Sequence, residues 1–167
     1  MNEEKWYVLY TSPRAEKKVA DRLLENGVNV YLPIIEEVRQ WSDRKKKVKK
    51  ALFDGYLFIK STKPNLWKCL TDPGALKFIS FSDDYATVSE EDISSIKRIV
   101  ETGMAIEPMV SNISTGEKVK IIGGPLEGMV GECVQKENQD YFIVNISGIK
   151  RQLVVSIPRK FLKVIEG

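Results

Sequence analysis

The chain has 167 residues, 43% of them hydrophobic and 29% charged, with a formal net charge of +3. That length suits one ordinary domain or two small ones, and the apolar content is enough for most of the chain to fold. There is no histidine, and Cys69 and Cys133 lie far apart among apolar neighbours, which excludes an ordinary zinc site and points to buried thiols in a reducing compartment.

Residues 1–14 place acids first and contain only a five-residue apolar-rich run. Neither a signal peptide nor a membrane span is expected, and a cytoplasmic protein without membrane contact is the default. Residues 5–10 read as a first strand, with Trp6, Val8 and Tyr10 on one face and Tyr7 and Leu9 on the other. Ser12 and Pro13 are suited to start a helix, the first as side-chain cap and the second at the opening helical position. Ala15, Val19, Leu23 and Leu24 would form its apolar stripe, and Asn26-Gly27 its stop.

Residues 28–38 return as a strand bent at Pro33. A loop or hairpin tip follows, with Arg39, Arg44, Lys45, Lys46, Lys47, Lys49 and Lys50 against one acid, Asp43. Such a field attracts a phosphate backbone or an acidic protein surface, or simply keeps a loop solvated. Residues 52–61 form the next strand and 64–70 a short helical piece anchored by Trp67 and Leu70. Asp72-Pro73-Gly74 is a turn and 75–81 another strand. Ser89 and Asp92 have the spacing of a capping box at the head of a helix whose stripe is Ile93, Ile96, Ile99 and Val100, stopped by Gly103. The order fits a βαββαβ-like sheet with helices on one side.

Residues 104–115 show no period and carry Pro108, Ser111, Asn112, Ser114 and Thr115, the mark of a linker. Beyond Gly116, short β-prone runs at 118–122, 129–135, 141–146, 151–156 and 161–164 alternate with turn signals, including Glu137-Asn138. Such spacing predicts a small curled barrel. The fold class is therefore α+β: an N-terminal domain over 1–103, a linker over 104–115 and a five-stranded β-barrel over 116–167. Asp83-Asp84 and Glu90-Glu91-Asp92 read as turn and helix-start acids rather than metal ligands. No phosphate loop, histidine base or nucleophile elbow appears, so neither an enzyme nor a cofactor is expected.

The run from Gly116 to Gly131 resembles the KOW motif. It has Val119 and Ile121 in a strand, Gly123, Gly124 and Pro125 in a turn, and Gly128 at a second sharp turn. Residues 6–19, Trp-Tyr-Val-Leu-Tyr-Thr-Ser-Pro-Arg-Ala-Glu-Lys-Lys-Val, resemble the start of the NusG N-terminal domain. Leu52-Phe-Asp-Gly-Tyr-Leu-Phe58 resembles that domain's Phe-Pro-Gly-Tyr strand, with Asp54 where the family often has proline. Residues 40–46, Gln-Trp-Ser-Asp-Arg-Lys-Lys, are similar to specialised paralogs of UpxY type, and the whole is most like those and RfaH. Nothing in the sequence shows the barrel refolding into helices, as happens in RfaH.

The resemblance implies a transcription elongation or antitermination factor that suppresses pausing or termination, on particular operons for a specialised paralog. Its N-terminal domain would grip the clamp helices of the RNA polymerase large subunit through Tyr10, Tyr56 and Phe58, with Trp6 structural or at the border. Arg14, Lys18 and Arg22, at spacings of four on the first helix, and Arg44, Lys45, Lys46 and Lys47 would face non-template or upstream DNA without reading sequence. The barrel would meet ribosomal protein S10, or Rho, with at least one of Phe142, Ile143 and Ile149 exposed. Two readings compete: a general NusG-type elongation factor, and a ribosome-associated or RNA-binding KOW protein.

Overall fold

The computed structural model describes residues 3–110, 116–136 and 139–165. Contacts divide the chain into two units, Met1–Ile93 and Ser94–Gly167. The expected turn at Glu137-Asn138 and the linker residues 111–115 lie outside the described residues.

In the first unit, β1 (Lys5–Thr11) is the central strand. It pairs antiparallel with β5 (Tyr56–Ser61) on one side, and with β6 (Ala75–Phe78) and β9 (Thr87–Val88) on the other. β2 (Asn29–Tyr31) completes the sheet beyond β5. Helix α1 (Glu16–Glu25) buries Val19, Ala20 and Leu23. They join Tyr7 and Leu9 of β1, Leu57 and Ile59 of β5, and Leu66, Cys69 and Phe78 in one apolar cluster. Period-2 alternation selects this set, because one face of each strand must be apolar for a helix to cover it. Burial pushes the Cys69 thiol up to about 11, so it stays protonated near neutral pH and behaves as an apolar core group.

Local corrections follow from backbone geometry. α1 begins at Glu16, with Ala15 at the cap position and no side-chain cap. Ser12 instead closes a turn through its carbonyl, which accepts the Ala15 amide at 3.0 Å, while Arg14 takes a left-handed φ of +62°. The helical piece is a 3-10 helix over Lys63–Thr71 that buries Leu66 and Cys69, three apart as its period requires. Trp67 (61% exposed) and Leu70 are therefore outside the core. The bend at Pro33 separates β2 from β3 (Ile34–Gln40). The basic run folds back as β4 (Lys45–Ala51), in register with β3 from Gln40↔Lys45 to Ile34↔Ala51.

A small hairpin of β7 (Ser80–Phe81) and β8 (Asp84–Tyr85) precedes β9. Helix α2 (Glu90–Glu101) follows, and the Ser89 hydroxyl accepts the Asp92 amide at 3.0 Å, as the cap spacing predicts. Ile93, Ile96 and Ile99 are its buried stripe.

The second unit contains one antiparallel sheet in the order β10-β14-β13-β12-β11-β15. The five predicted strands are β11 (Glu117–Ile121), β12 (Val130–Lys136), β13 (Gln139–Ile146), β14 (Arg151–Ser156) and β15 (Leu162–Val164). A sixth, β10 (Glu107–Val110), lies within the stretch read as linker and pairs with β14. Pro108 obscured it; proline donates no ladder bond and is tolerated here because β10 is an edge strand. Val119, Ile121, Leu126, Phe142, Ile143 and Ile149 are all buried. The expectation that one of Phe142, Ile143 and Ile149 is exposed is thus corrected: Phe142 and Ile143 lie in the middle of β13, paired on both sides, and Ile149 closes the 3-10 turn before β14 with its side chain in the core. In the KOW-like turn, Gly128 has a φ of +93° and its amide donates to the Ile121 carbonyl at 2.7 Å. A side chain would be strained in that conformation.

Candidate functional site

Tyr10 and Tyr56 are register partners on the outer face of β1 and β5, with ring centroids 6.0 Å apart and planes at 74°. Both rings are partly open to solvent. Three bonds hold the loop between them. The Thr11 amide donates to the Gly55 carbonyl at 2.8 Å, the Gly55 amide donates to Glu16 Oε2 at 3.0 Å, and the Tyr56 amide donates to the Phe53 carbonyl at 3.2 Å. Gly55 has a φ of +79°, and a Cβ there would stand 2.8 Å from the Tyr10 ring. This left-handed residue ends the lead-in, so β5 begins at Tyr56 rather than at residue 52.

Phe58 is on the same strand face as Tyr56 but is 0% exposed. Tyr31 stacks on it at 6.2 Å and Phe53 meets it edge-on at 6.0 Å. Parity assigns a face; it does not say that the face is bare. In this structure Phe58 underpins the aromatic face instead of forming its surface. Trp6 is also buried, with the Lys60 ammonium 5.9 Å from its ring and Lys60 paired to Glu90 at 2.5 Å.

The three cations assigned to the first helix separate. Arg14 is in the turn before α1, so the spacing of four does not apply to it. Lys18 is exposed on α1. Arg22 is committed within the fold: its Nε and Nη2 donate to Asp72 Oδ2 and Oδ1, each at 2.8 Å. Those bonds hold the Asp72 carboxyl below its ordinary range, helped by the Gly74 amide.

A second feature lies where α1 meets the base of the β3–β4 hairpin. Arg14 and Lys17 line a groove of about 400 Å³ with Arg39, Lys49 and Lys50. Glu16 and Asp54 are the two carboxylates in its wall. At the hairpin tip, Trp41 is 44% exposed, with the Arg44 guanidinium carbon 5.6 Å and the Lys46 ammonium 5.1 Å from its ring centroid. Lys45 and Lys47 are exposed on β4. Trp41 and Glu16 were missed as site residues. The indole within a basic run was a readable signal for the first, whereas nothing local marked the carboxylate that fastens Gly55.

The arrangement offers a partly open aromatic pair and a basic groove. Among the described residues no cluster of three metal-ligating side chains occurs, and no helix is long and apolar enough to cross a membrane. Residues 4–97 match the family model described as transcription termination factor NusG. The chain belongs to the NusG family. Among NusG relatives, the transcription termination/antitermination protein NusG of Rickettsia felis is 25% identical over 163 residues, covering 88% of this chain and 84% of that one. The protein of the same name from Staphylococcus carnosus is 25% identical over 162 residues, covering 87% and 88%. A solved structure concerning domain interaction in Thermotoga maritima NusG superposes with a TM-score of 0.54 at 23% identity, covering 98% of both chains. That likeness supports the NusG fold assignment, and the six-stranded sheet of the second unit is KOW-like in its turn and strand order.

Proposed function

We propose that this NusG-family protein is an elongation/antitermination factor that binds the clamp helices of the RNA polymerase large subunit through Tyr10 and Tyr56. The observation carrying this reading is the partly open Tyr10–Tyr56 pair, locked in place by Gly55 and Glu16. A rigid aromatic pair with a packed layer beneath it suits helix docking, because little side-chain freedom is lost on binding. Phe58 provides that layer. Arg14, Lys18 and the Arg44 to Lys47 run approach non-template or upstream DNA through phosphate contacts that position without specifying sequence, while Arg22 holds the 72–74 turn.

Binding across the clamp favours the closed, elongating polymerase over paused states, a population shift that needs no catalytic group. The KOW-like unit is the second, tethered contact, toward ribosomal protein S10 or Rho. The domain organisation proposed is a polymerase-binding part over 1–103, a connection over 104–115 and the KOW-like part from 116. The UpxY-like residues 40–46, which include the β3–β4 tip, favour a specialised, operon-specific factor. The curated names of both relatives favour a general one.

Core RNA polymerase pull-down with wild type, Tyr10→Ala and Tyr56→Ala tests the interface. Loss with either alanine variant, in a protein of unchanged melting temperature, is the expected result. Undiminished capture by both variants would overturn it. Transcript profiling after deletion separates the two scopes: loss of distal transcription in one operon marks the specialist, and genome-wide pausing changes mark the general factor.

A further inference from the structure

We infer that the β3–β4 hairpin is a docking ridge for an unpaired nucleic-acid strand, with Trp41 as the stacking residue for one base. The inference deepens the DNA-facing reading of the hairpin and rests on it.

Three observations combine. First, the cations form a continuous track. Arg39 lines the groove beside α1 and is also the register partner of Lys46, whose ammonium lies against the Trp41 ring. From the Ile34↔Ala51 pair to the Gln40↔Lys45 pair the hairpin runs seven residues, roughly 20 Å at the rise of an antiparallel strand. Second, the indole is held at the end of this track by a short turn, in which the Trp41 amide donates to the Arg44 carbonyl at 2.8 Å. It is 44% exposed although burial is what stabilises a ring of this size. Third, the tip of the track is not neutralised. Glu37 approaches Arg39 at 3.5 Å and Lys50 at 3.7 Å, but among the described residues no acid pairs with Arg44 or Lys46.

Charge alone would also suit an acidic protein, but charge does not call for an exposed indole. A positive groove with an aromatic at its end matches a single strand, whose phosphates follow the cations and whose bases present open π-faces. In a duplex the bases are already stacked and only their edges are available. The shared chemistry is phosphate plus an unstacked base, so the DNA or RNA source is left to the assay.

The test is fluorescence anisotropy of the full chain with a labelled 12-nucleotide DNA strand, the RNA of the same sequence, and the DNA duplex. Wild type should prefer the single strands. Trp41→Ala should weaken that binding about tenfold, the size expected for one stacked base, with the dependence on salt unchanged. Trp41→Phe should retain most of the affinity. Lys46→Gln should do the reverse of Trp41→Ala, flattening the salt slope by about 0.7 as one phosphate contact is lost. Loss on DNA, with or without loss on RNA, supports the site; loss on RNA alone overturns the DNA-facing reading on which it rests. Equal single-strand affinity of Trp41→Ala and wild type overturns it. So does equal competition by polyglutamate and oligonucleotide, which would assign the ridge to an acidic protein. Because Trp41 is exposed, Trp41→Ala should keep the wild-type melting temperature. The polymerase pull-down is independent: failure there with stacking intact removes the clamp reading alone, and the converse removes this one alone.

Discussion

Arg22 and Asp72 form a two-pronged ion pair across fifty residues of sequence, with both bonds at 2.8 Å and the Asp72 side chain only 5% exposed. The same carboxylate accepts the Gly74 amide at 2.9 Å, and the Gly74 carbonyl accepts the Ser12 amide at 3.0 Å. One acid thus ties α1, the turn before β6 and the end of β1 together. Asp72→Asn should lower the melting temperature at neutral pH. Because the folded state holds the Asp72 carboxyl below its ordinary value, its stabilising contribution is fully present above about pH 4 and fades as pH falls through the depressed folded value. Melting curves of both proteins from pH 7 to pH 2 should therefore converge at the acid end. A constant gap would contradict the pairing.

Gly55→Ala should destabilise the first unit by about 1–2 kcal/mol from its left-handed backbone alone. The added methyl would also meet the Tyr10 ring, so the ring must rotate and polymerase capture should fall further than stability does. Denaturant titration beside pull-down separates the two effects.

Phe58→Ala and Tyr56→Ala should behave oppositely although their side chains share a strand face. Phe58 is fully enclosed, so truncation should destabilise by about 3–5 kcal/mol. Tyr56 is partly open, and its truncation should leave the melting temperature nearly unchanged while reducing polymerase capture. If Phe58→Ala melted like wild type, the packed layer beneath the tyrosines would be wrong.

Ser89→Ala removes the acceptor for the Asp92 amide at the head of α2. A loss of about 1 kcal/mol is expected, and Ser89→Asp should restore it, because either residue can cap that amide. Equilibrium unfolding in urea measures both.

The sequence by itself determined the elements that depend on short-range chemistry. Alternation along residues 5–10, the Ser89 cap with its isoleucine stripe, and the glycine-proline turn at 123–125 are each set within a few residues, and each is present. Parity also put Tyr56 and Phe58 on one face of their strand, but the pairing of Tyr10 with Tyr56 came only with the strand register. What only the tertiary structure decided depends on partners distant in the chain. Phe58 is covered because Tyr31 and Phe53 close over it, and the half-exposed Arg22 is committed to an ion pair because Asp72 waits fifty residues on. The linker stretch contains a strand because Arg151–Ser156 offers it an edge. Periodicity tells a side chain which way to point; whether that direction ends in solvent or in a neighbour is settled by the fold.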